Sequence, residues 1–187
     1  MKSIIRYFSC ISAAALILLA VGSASAGESV VEVNSVTLIS SPGESETRIL
    51  AMPELPLEAT GIVIDRVLLC LSVEPQTEDT SFIPIRAYAL GTEWSPGTVA
   101  WDSPWEEDGG DIDEDTYAEC LVTVPETQDV AIDITDLYGR WLDGRLPYYG
   151  FMLALSPSAL DDFTIVREND SGPYATIVIQ YSPTPTE

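Results

Sequence analysis

The chain has 187 residues, of which 46% are apolar, and a formal net charge of −22 with no histidine. A chain of this length and ordinary apolar content can bury the core of one domain, so its charge does not indicate disorder. The absence of histidine removes the commonest general base and metal ligand, and the acidic excess argues against nucleic acid and anionic membranes as partners.

Residues 1–26 have the pattern of a secretory signal peptide. Lys2 and Arg6 give a positive start, and an apolar run follows over residues 11–21. Residues 24–26 (ASA) have the small-x-small form that signal peptidase requires. The apolar run is shorter than the ~20 residues that a transmembrane helix needs. We therefore predict a secreted protein, extracellular or at the cell surface, with no membrane insertion after cleavage.

Cleavage would leave a predicted domain over residues 27–182 and a loose tail over residues 183–187. The residues after position 26 include six arginines, no lysine and 30 acidic residues, which give a net formal charge of −24. Schiff-base chemistry and lysine–asparagine cross-links are therefore excluded. The acidity favours solubility, and divalent cations are the alternative partner of such a surface.

Strand patterns recur along the predicted domain as runs of β-branched and apolar residues bounded by turn-forming residues. The longest run covers residues 62–73, and its second half is apolar on both faces, as is typical of a central strand between packed layers. An acidic loop is predicted over residues 102–115. The predicted strands cover residues 30–39, 47–52, 62–73, 82–90, 99–101, 119–124, 130–134, 149–155, 161–167 and 174–181.

One short helix is predicted after residue 134. Thr135 is placed to cap it and Gly144 to end it. Leu137 and Trp141 lie at i and i+4, on one apolar face. Because helices do not alternate with strands, a parallel sheet is not expected. The predicted fold is an all-β, antiparallel β-sandwich of jelly-roll type with one short helix, preceded by the signal peptide.

Two cysteines, Cys70 and Cys120, lie in the predicted domain. In an oxidising compartment such a pair favours one disulfide, and two buried thiols are the alternative. Neither cysteine has a basic neighbour in the sequence, so a reactive thiol is not expected.

Several passages follow one another in the order of a known family. They are residues 62–71 (IVIDRVLLCL), Trp94 with residues 98–105 (TVAWDSPW), residues 109–113 (GGDID), residues 133–137 (DITDL) with Trp141 and Gly144, residues 150–153 (GFML), and a closing strand over residues 174–181. Together these passages resemble the DNRLRE-domain family of secreted proteins, with Ala100 where the family commonly has threonine. The resemblance covers nearly all of the predicted domain.

The resemblance implies a jelly-roll sandwich that is exported and usually non-enzymatic. Members accompany surface and wall-associated proteins, and some relatives are carbohydrate-binding modules, including alginate-type binders. Those binders use basic residues, so an acidic polysaccharide is a poor ligand for a domain with no lysine and few arginines. The motif residues interpreted as structural are Trp94, Trp101, Asp133 and Trp141.

The acidic loop offers oxygen ligands to a hard cation. Asp111, Asp113 and Asp115 alternate along the chain, and Asp108 lies nearby. Ca²⁺ takes about six to eight such oxygens, often from flexible loops. The loop lacks the glycine and the glutamate of an EF-hand at its sixth and twelfth positions. No cofactor is required by the sequence, and the alternatives at this loop are a Ca²⁺ site or solvated carboxylates.

Aromatic side chains can stack on sugar rings. Trp105, beside two glutamates, is expected to be exposed, and Tyr148 and Tyr149 follow a proline in a turn. These three residues form the predicted carbohydrate-binding set. Trp101, in a predicted strand, and Trp141, on the helix face, are expected to pack in the core.

No catalytic residue is predicted. Thirty acids give many carboxylate pairs by number alone, and serine or threonine nucleophiles lack a base of the usual type. The predicted function is a secreted, non-catalytic structural or adhesive surface module. The alternative is a carbohydrate-binding module, with or without a stabilising Ca²⁺. The partner would be a neutral glycan or a surface protein, and the assembly state is left open.

Overall fold

The computed structural model describes residues 26–43, 46–58, 60–75, 82–123, 127–155, 163–167 and 171–184. Ten strands and one helix lie in these ranges. They are β1 (Gly27–Val33), β2 (Thr37–Ser40), β3 (Thr47–Ala51), β4 (Ile62–Pro75), β5 (Phe82–Leu90), β6 (Ile112–Thr123), β7 (Gln128–Asp133), α1 (Thr135–Leu142), β8 (Phe151–Leu155), β9 (Phe163–Val166) and β10 (Ala175–Pro183).

The strands form two five-stranded sheets in which every pairing is antiparallel. Sheet I has the order β1-β10-β4-β7, and β9 also pairs with β4. Sheet II has the order β2-β3-β8-β5-β6. Because the chain passes repeatedly from one sheet to the other and its first strand pairs with its last, the topology is that of a jelly roll. The predicted antiparallel β-sandwich with one short helix is confirmed, whereas residues 1–25 of the predicted signal peptide lie outside the described residues.

The inner core lies between the two sheets and follows from strict alternation along the strands. In β4, for example, Val67, Leu69, Leu71 and Val73 are buried, and the residues between them face outward. A buried side chain of this kind contributes about 1.5–3 kcal/mol of hydrophobic stabilisation. The other β-strand residues of the inner core include Val33, Ile49, Ala51, Ile83, Ile85, Ala87, Val122, Ile132, Phe151, Leu153, Ile177 and Ile179.

A second apolar cluster, the outer core, lies on the outer face of sheet II. Leu50, Met152 and Tyr88 are cross-strand neighbours on β3, β8 and β5, and their sequence neighbours face the inner core. The loop between β5 and β6, residues 91–111, packs two tryptophans against this row. The buried members of the outer core are Ile39, Leu50, Tyr88, Leu90, Trp94, Trp105, Met152 and Ala154.

Helix α1 packs its apolar face on the inner core, as predicted. Leu137, Tyr138 and Trp141 are buried. The helix ends at Leu142, and Gly144 follows with φ of +68°, a conformation that glycine adopts without a Cβ penalty. Thr135 does not act as the predicted cap. Its hydroxyl accepts a hydrogen bond from the Val67 amide, at 2.9 Å, and so ties the helix to β4.

Three predicted element boundaries are wrong. The strand predicted over residues 30–39 is two strands, because the chain crosses from sheet I to sheet II between Val33 and Thr37. Residues 99–101 lie in a turn with one isolated bridge, from Ala100 to Ser103. Strand β6 begins seven residues before its predicted start, inside the predicted acidic loop. In the part of the chain that the structure describes, no helix is long and apolar enough to cross a membrane.

Candidate functional site

Two loop tryptophans are buried in the outer core. The Trp94 indole N–H donates to the Tyr149 carbonyl at 2.6 Å, and the Trp105 indole N–H donates to the Ala100 carbonyl at 2.9 Å. Trp94 is 6% exposed and Trp105 is 8% exposed. The expectation of an exposed Trp105 is therefore wrong, because the loop folds back on sheet II and covers the indole ring.

The two tyrosines of the predicted sugar set belong to different clusters. Tyr148 packs its ring edge-on against Trp141, with ring centroids 5.2 Å apart, and its hydroxyl donates to the Pro53 carbonyl at 2.6 Å. Burial raises the pKa of Tyr148. Tyr149 packs against the outer core, with Trp105. The three residues therefore do not form one flat stacking platform.

Trp101 is half-buried in a turn, and Arg48 of β3 holds it in place. The Arg48 guanidinium lies 4.8 Å from the centroid of the Trp101 ring and donates to the Gly109 carbonyl at 2.9 Å. The Gly109 amide in turn donates to the Trp101 carbonyl at 2.6 Å. Gly109 has φ of +90°, and a Cβ there would lie 2.7 Å from Arg48 Nη1. Glycine is therefore required for this cation–π clamp.

Asp111 closes the β5–β6 loop through hydrogen bonds to the chain itself. One carboxylate oxygen accepts from the amides of Glu106 and Glu107, at 2.8 and 3.0 Å, and the other accepts from the Thr92 hydroxyl. Partial burial opposes ionisation of Asp111, but the hydroxyl and the two amides outweigh it and lower the pKa of the carboxyl. Asp111 is a structural anchor at the base of the loop.

The predicted calcium ligands do not converge. Asp113 accepts hydrogen bonds from the Asp115 amide at 3.1 Å and from the Thr116 hydroxyl at 2.7 Å, at the start of β6. Asp108 and Asp115 are exposed. Among the described residues, no three His, Cys, Asp or Glu side chains are arranged to hold a metal ion. The four aspartates share a region of sequence, but β6 draws Asp113 and Asp115 into an edge strand.

Asp133 has a structural position at the junction of β7 and α1. Its carboxylate accepts from the Arg66 guanidinium at 3.0 Å and from the Thr135 amide at 3.2 Å. Burial opposes ionisation, but the Thr135 hydroxyl and amide and the Arg66 guanidinium together lower the pKa of Asp133. Asp133 therefore ties the end of β7 to Arg66 of β4 and to the first residue of α1.

All six arginines after residue 26 are engaged within the chain. Five donate to carboxylates: Arg48 to Glu46, Arg66 to Asp133, Arg86 to Glu119, Arg140 to Asp136 and Arg145 to Asp143. The sixth, Arg167, donates to the Gly172 carbonyl at 2.8 Å and stacks on Tyr174. Each of these six arginines therefore already has a partner within the chain, and none of them remains to offset the excess of carboxylates.

Cys70 and Cys120 are not joined by a disulfide. Cys70 lies on β4 between Leu69 and Leu71, which are buried, so its side chain is on the outer face of sheet I. Cys120 pairs across the strands with buried Ile85 and faces the inner core from sheet II. The alternation of β4 places the two sulfurs on opposite sides of sheet I, so the predicted bridge is not formed.

We expect thiol labelling to find both cysteines. Protein that begins after residue 26 and is unfolded in denaturant without reductant should react at two positions, Cys70 and Cys120, in a mass measurement of the alkylated chain, and a full-length chain should react at Cys10 as well. A sample reduced before labelling is the control, and it should carry the same number of labels. A label count that rises on reduction would contradict this arrangement.

The pH dependence of the free energy of unfolding should show the titration of the Cys120 thiol. Burial, with a smaller contribution from the Glu119 charge, raises the pKa of Cys120 from 9.0 to about 11. The folded state therefore holds this proton more tightly than the unfolded state. Its contribution is full below pH 9 and is lost as the pH rises to about 11, a decline of at most about 2 kcal/mol in the free energy of unfolding once solvent screening at this half-buried site is allowed for. Cys120→Ala should unfold in denaturant with a smaller decline over the same window.

An exposed apolar surface lies on the outer face of sheet II, beside the outer core. We call it the open face and define it as Phe82, Pro84, Tyr117 and Leu121. Phe82 is 70% exposed, Leu121 61% and Tyr117 40%. Pro84 and Leu121 are direct cross-strand neighbours. The alternation over residues 82–90 could have indicated this surface, since Phe82 and Pro84 lie on the face opposite the buried Ile83 and Ile85.

A shallow depression of about 290 Å³ lies at the β5–β6 loop and is lined by Glu93, Trp94, Ser95, Thr98 and Pro104. Its volume is at the lower limit of the range for small-molecule sites. It is not formed by the residues of the predicted sugar set, and the exposed part of Trp94 is small.

No protein-family model matches its sequence, and no curated protein matches it.

Proposed function

We propose that this protein is an exported, non-catalytic adhesive module that binds another macromolecule at the cell exterior. The observation that carries the proposal is the open face, where Phe82 and Leu121 are exposed beside Pro84 on the outer face of sheet II and Tyr117 is exposed farther along β6. Exposed apolar side chains that cluster in this way mark interaction surfaces in many proteins. The leader pattern of residues 1–26 supports export.

The non-catalytic part of the proposal rests on what the polar side chains do. Asp111, Asp113 and Asp133 accept hydrogen bonds from the backbone and hydroxyls of their own loops, and two of them have lowered pKa values. A general acid needs the opposite shift, toward neutral pH. The jelly-roll order of the strands also agrees with what the resemblance to the DNRLRE-domain family implies, and we keep that family as part of the proposal.

Carbohydrate binding is the second candidate, and the depression beside Trp94 is the observation that favours it. Glu93, Ser95 and Thr98 could hydrogen-bond to a neutral sugar there. A glycan array should then give hits that Glu93→Gln weakens. Hits that do not change with this substitution, or an array without hits, would remove the second candidate.

Measurements of export and of catalytic turnover together test the proposal of an exported, non-catalytic module. The full chain with a C-terminal tag should be recovered outside the cytoplasm of its host, and its mass should correspond to a chain that begins at Gly27. The recovered protein should release no product from polysaccharide, ester or peptide substrates. Full-length protein retained inside the cell would contradict export, and sustained turnover would contradict the non-catalytic function.

A further inference from the structure

Strand β6 carries both exposed carboxylates and part of the open face. In the sheet order of the described strands it pairs with β5, so one side of its backbone is an edge. Asp113, Glu114 and Asp115, near its start, are exposed. Tyr117 lies at its middle and Leu121 toward its end, so apolar side chains and carboxylates occur along the same strand.

From this combination we propose that the open face binds a segment of another protein that carries both apolar and cationic side chains. The inference rests on the proposed function, because it names the partner class of that adhesive surface. Phe82 and Leu121 supply the apolar contact area, and the charge of −24 that follows the leader supplies the attraction for lysine and arginine. Each contribution can be removed separately.

Charge complementarity selects against the other occupants. A second copy would bring another net charge of −24 to the contact, and nucleic acids and anionic lipid surfaces also carry negative charge. The six arginines cannot relieve this repulsion, because each already donates to a carboxylate or a carbonyl of its own chain.

The chemistry of the open face also favours a protein segment over a sugar. Three of the four open-face residues, Phe82, Pro84 and Leu121, offer no hydrogen-bonding side chain, whereas a sugar site needs polar groups among its aromatic rings. In the next row, Arg86 donates to Glu119 at 2.7 Å and lies 4.0 Å from the centroid of the Tyr117 ring. These polar groups are already engaged with each other, so the surface they border is suited to apolar contact.

Three synthetic decapeptides test the proposal on the purified protein in the form that its host produces. One alternates leucine with lysine, one alternates serine with lysine, and one alternates leucine with glutamate. Calorimetry should detect binding of the leucine–lysine peptide alone. The double variant Phe82→Ser/Leu121→Ser should weaken this binding by about tenfold or more, since two exposed side chains lose their apolar contact.

Leu38→Ser is the matched control, because Leu38 is 63% exposed on β2, at the opposite edge of the same sheet. It should leave binding unchanged, and all variants should keep the unfolding temperature of the native protein. Equal weakening by Leu38→Ser, or no weakening by the double variant, would overturn the proposed location. Equal binding of the serine–lysine or leucine–glutamate peptide would overturn the proposed chemistry. The experiment can be run whether or not the protein is exported, so its failure is distinct from failure of the proposed function.

Discussion

Gly150→Ala should lower the free energy of unfolding by about 3–5 kcal/mol, from a left-handed backbone strain and a steric overlap that add together. Gly150 has φ of +87°, immediately before β8. A Cβ at this position would lie 2.2 Å from the carbonyl oxygen of Ala51, the last residue of β3. Backbone cannot rotate away as a side chain can, so β3 and β8 would have to separate. Denaturant unfolding of the purified variant measures the loss.

Gly144→Ala is the control for that experiment. Gly144 also has a positive φ, of +68°, but an added Cβ would meet nothing within 4 Å. Only the conformational strain remains, and we expect a loss of about 1–2 kcal/mol. Equal losses of unfolding free energy for the two variants would show that Ala51 does not obstruct a Cβ at position 150. Such a result would contradict the register of β3 with β8.

Trp105→Ala should destabilise the protein by about 3–5 kcal/mol, the usual cost of truncating a buried tryptophan. The indole is 8% exposed, packs in the outer core and donates a hydrogen bond to Ala100. Its removal leaves a cavity between the β5–β6 loop and sheet II. Thermal or denaturant unfolding followed by circular dichroism measures the change.

Leu121→Ala is the comparison for Trp105→Ala, because both truncate a large apolar side chain on the outer side of sheet II. Leu121 is 61% exposed, so its truncation should change stability by less than about 0.5 kcal/mol. If Trp105→Ala were equally mild, Trp105 would be exposed in solution, and its assignment to a stacking surface would regain support.

The strands of the sandwich could be predicted because burial on one face leaves a period of two in the sequence. Strand β5 (Phe82–Leu90) was predicted with the bounds that the structure has, and β4 within two residues at its end. The crossing between β1 and β2 could not be predicted in this way. Residues 34–36 interrupt the apolar alternation only briefly, and the change of sheet depends on which distant strand each half pairs with.

The candidate sites were harder to predict than the strands, since they depend on how a long loop folds. Acidic neighbours of Trp105 indicated exposure, but the fold of its own loop around Ala100 and the packing on Met152 of β8 decide its burial. The Cys70–Cys120 pair was a different case. The alternation of Leu69 and Leu71 already placed Cys70 outward, so the sequence contained the evidence against the bridge.

The position of β10 has a consequence for biosynthesis. This strand lies between β1 and β4, with Tyr181 opposite Gly27 and Thr176 opposite Cys70. Sheet I therefore cannot assemble on the ribosome until β10 has been synthesised, and contacts between such distant residues form slowly. The proposed export would benefit from this order, because a sheet that is still incomplete leaves the chain able to enter a translocation channel.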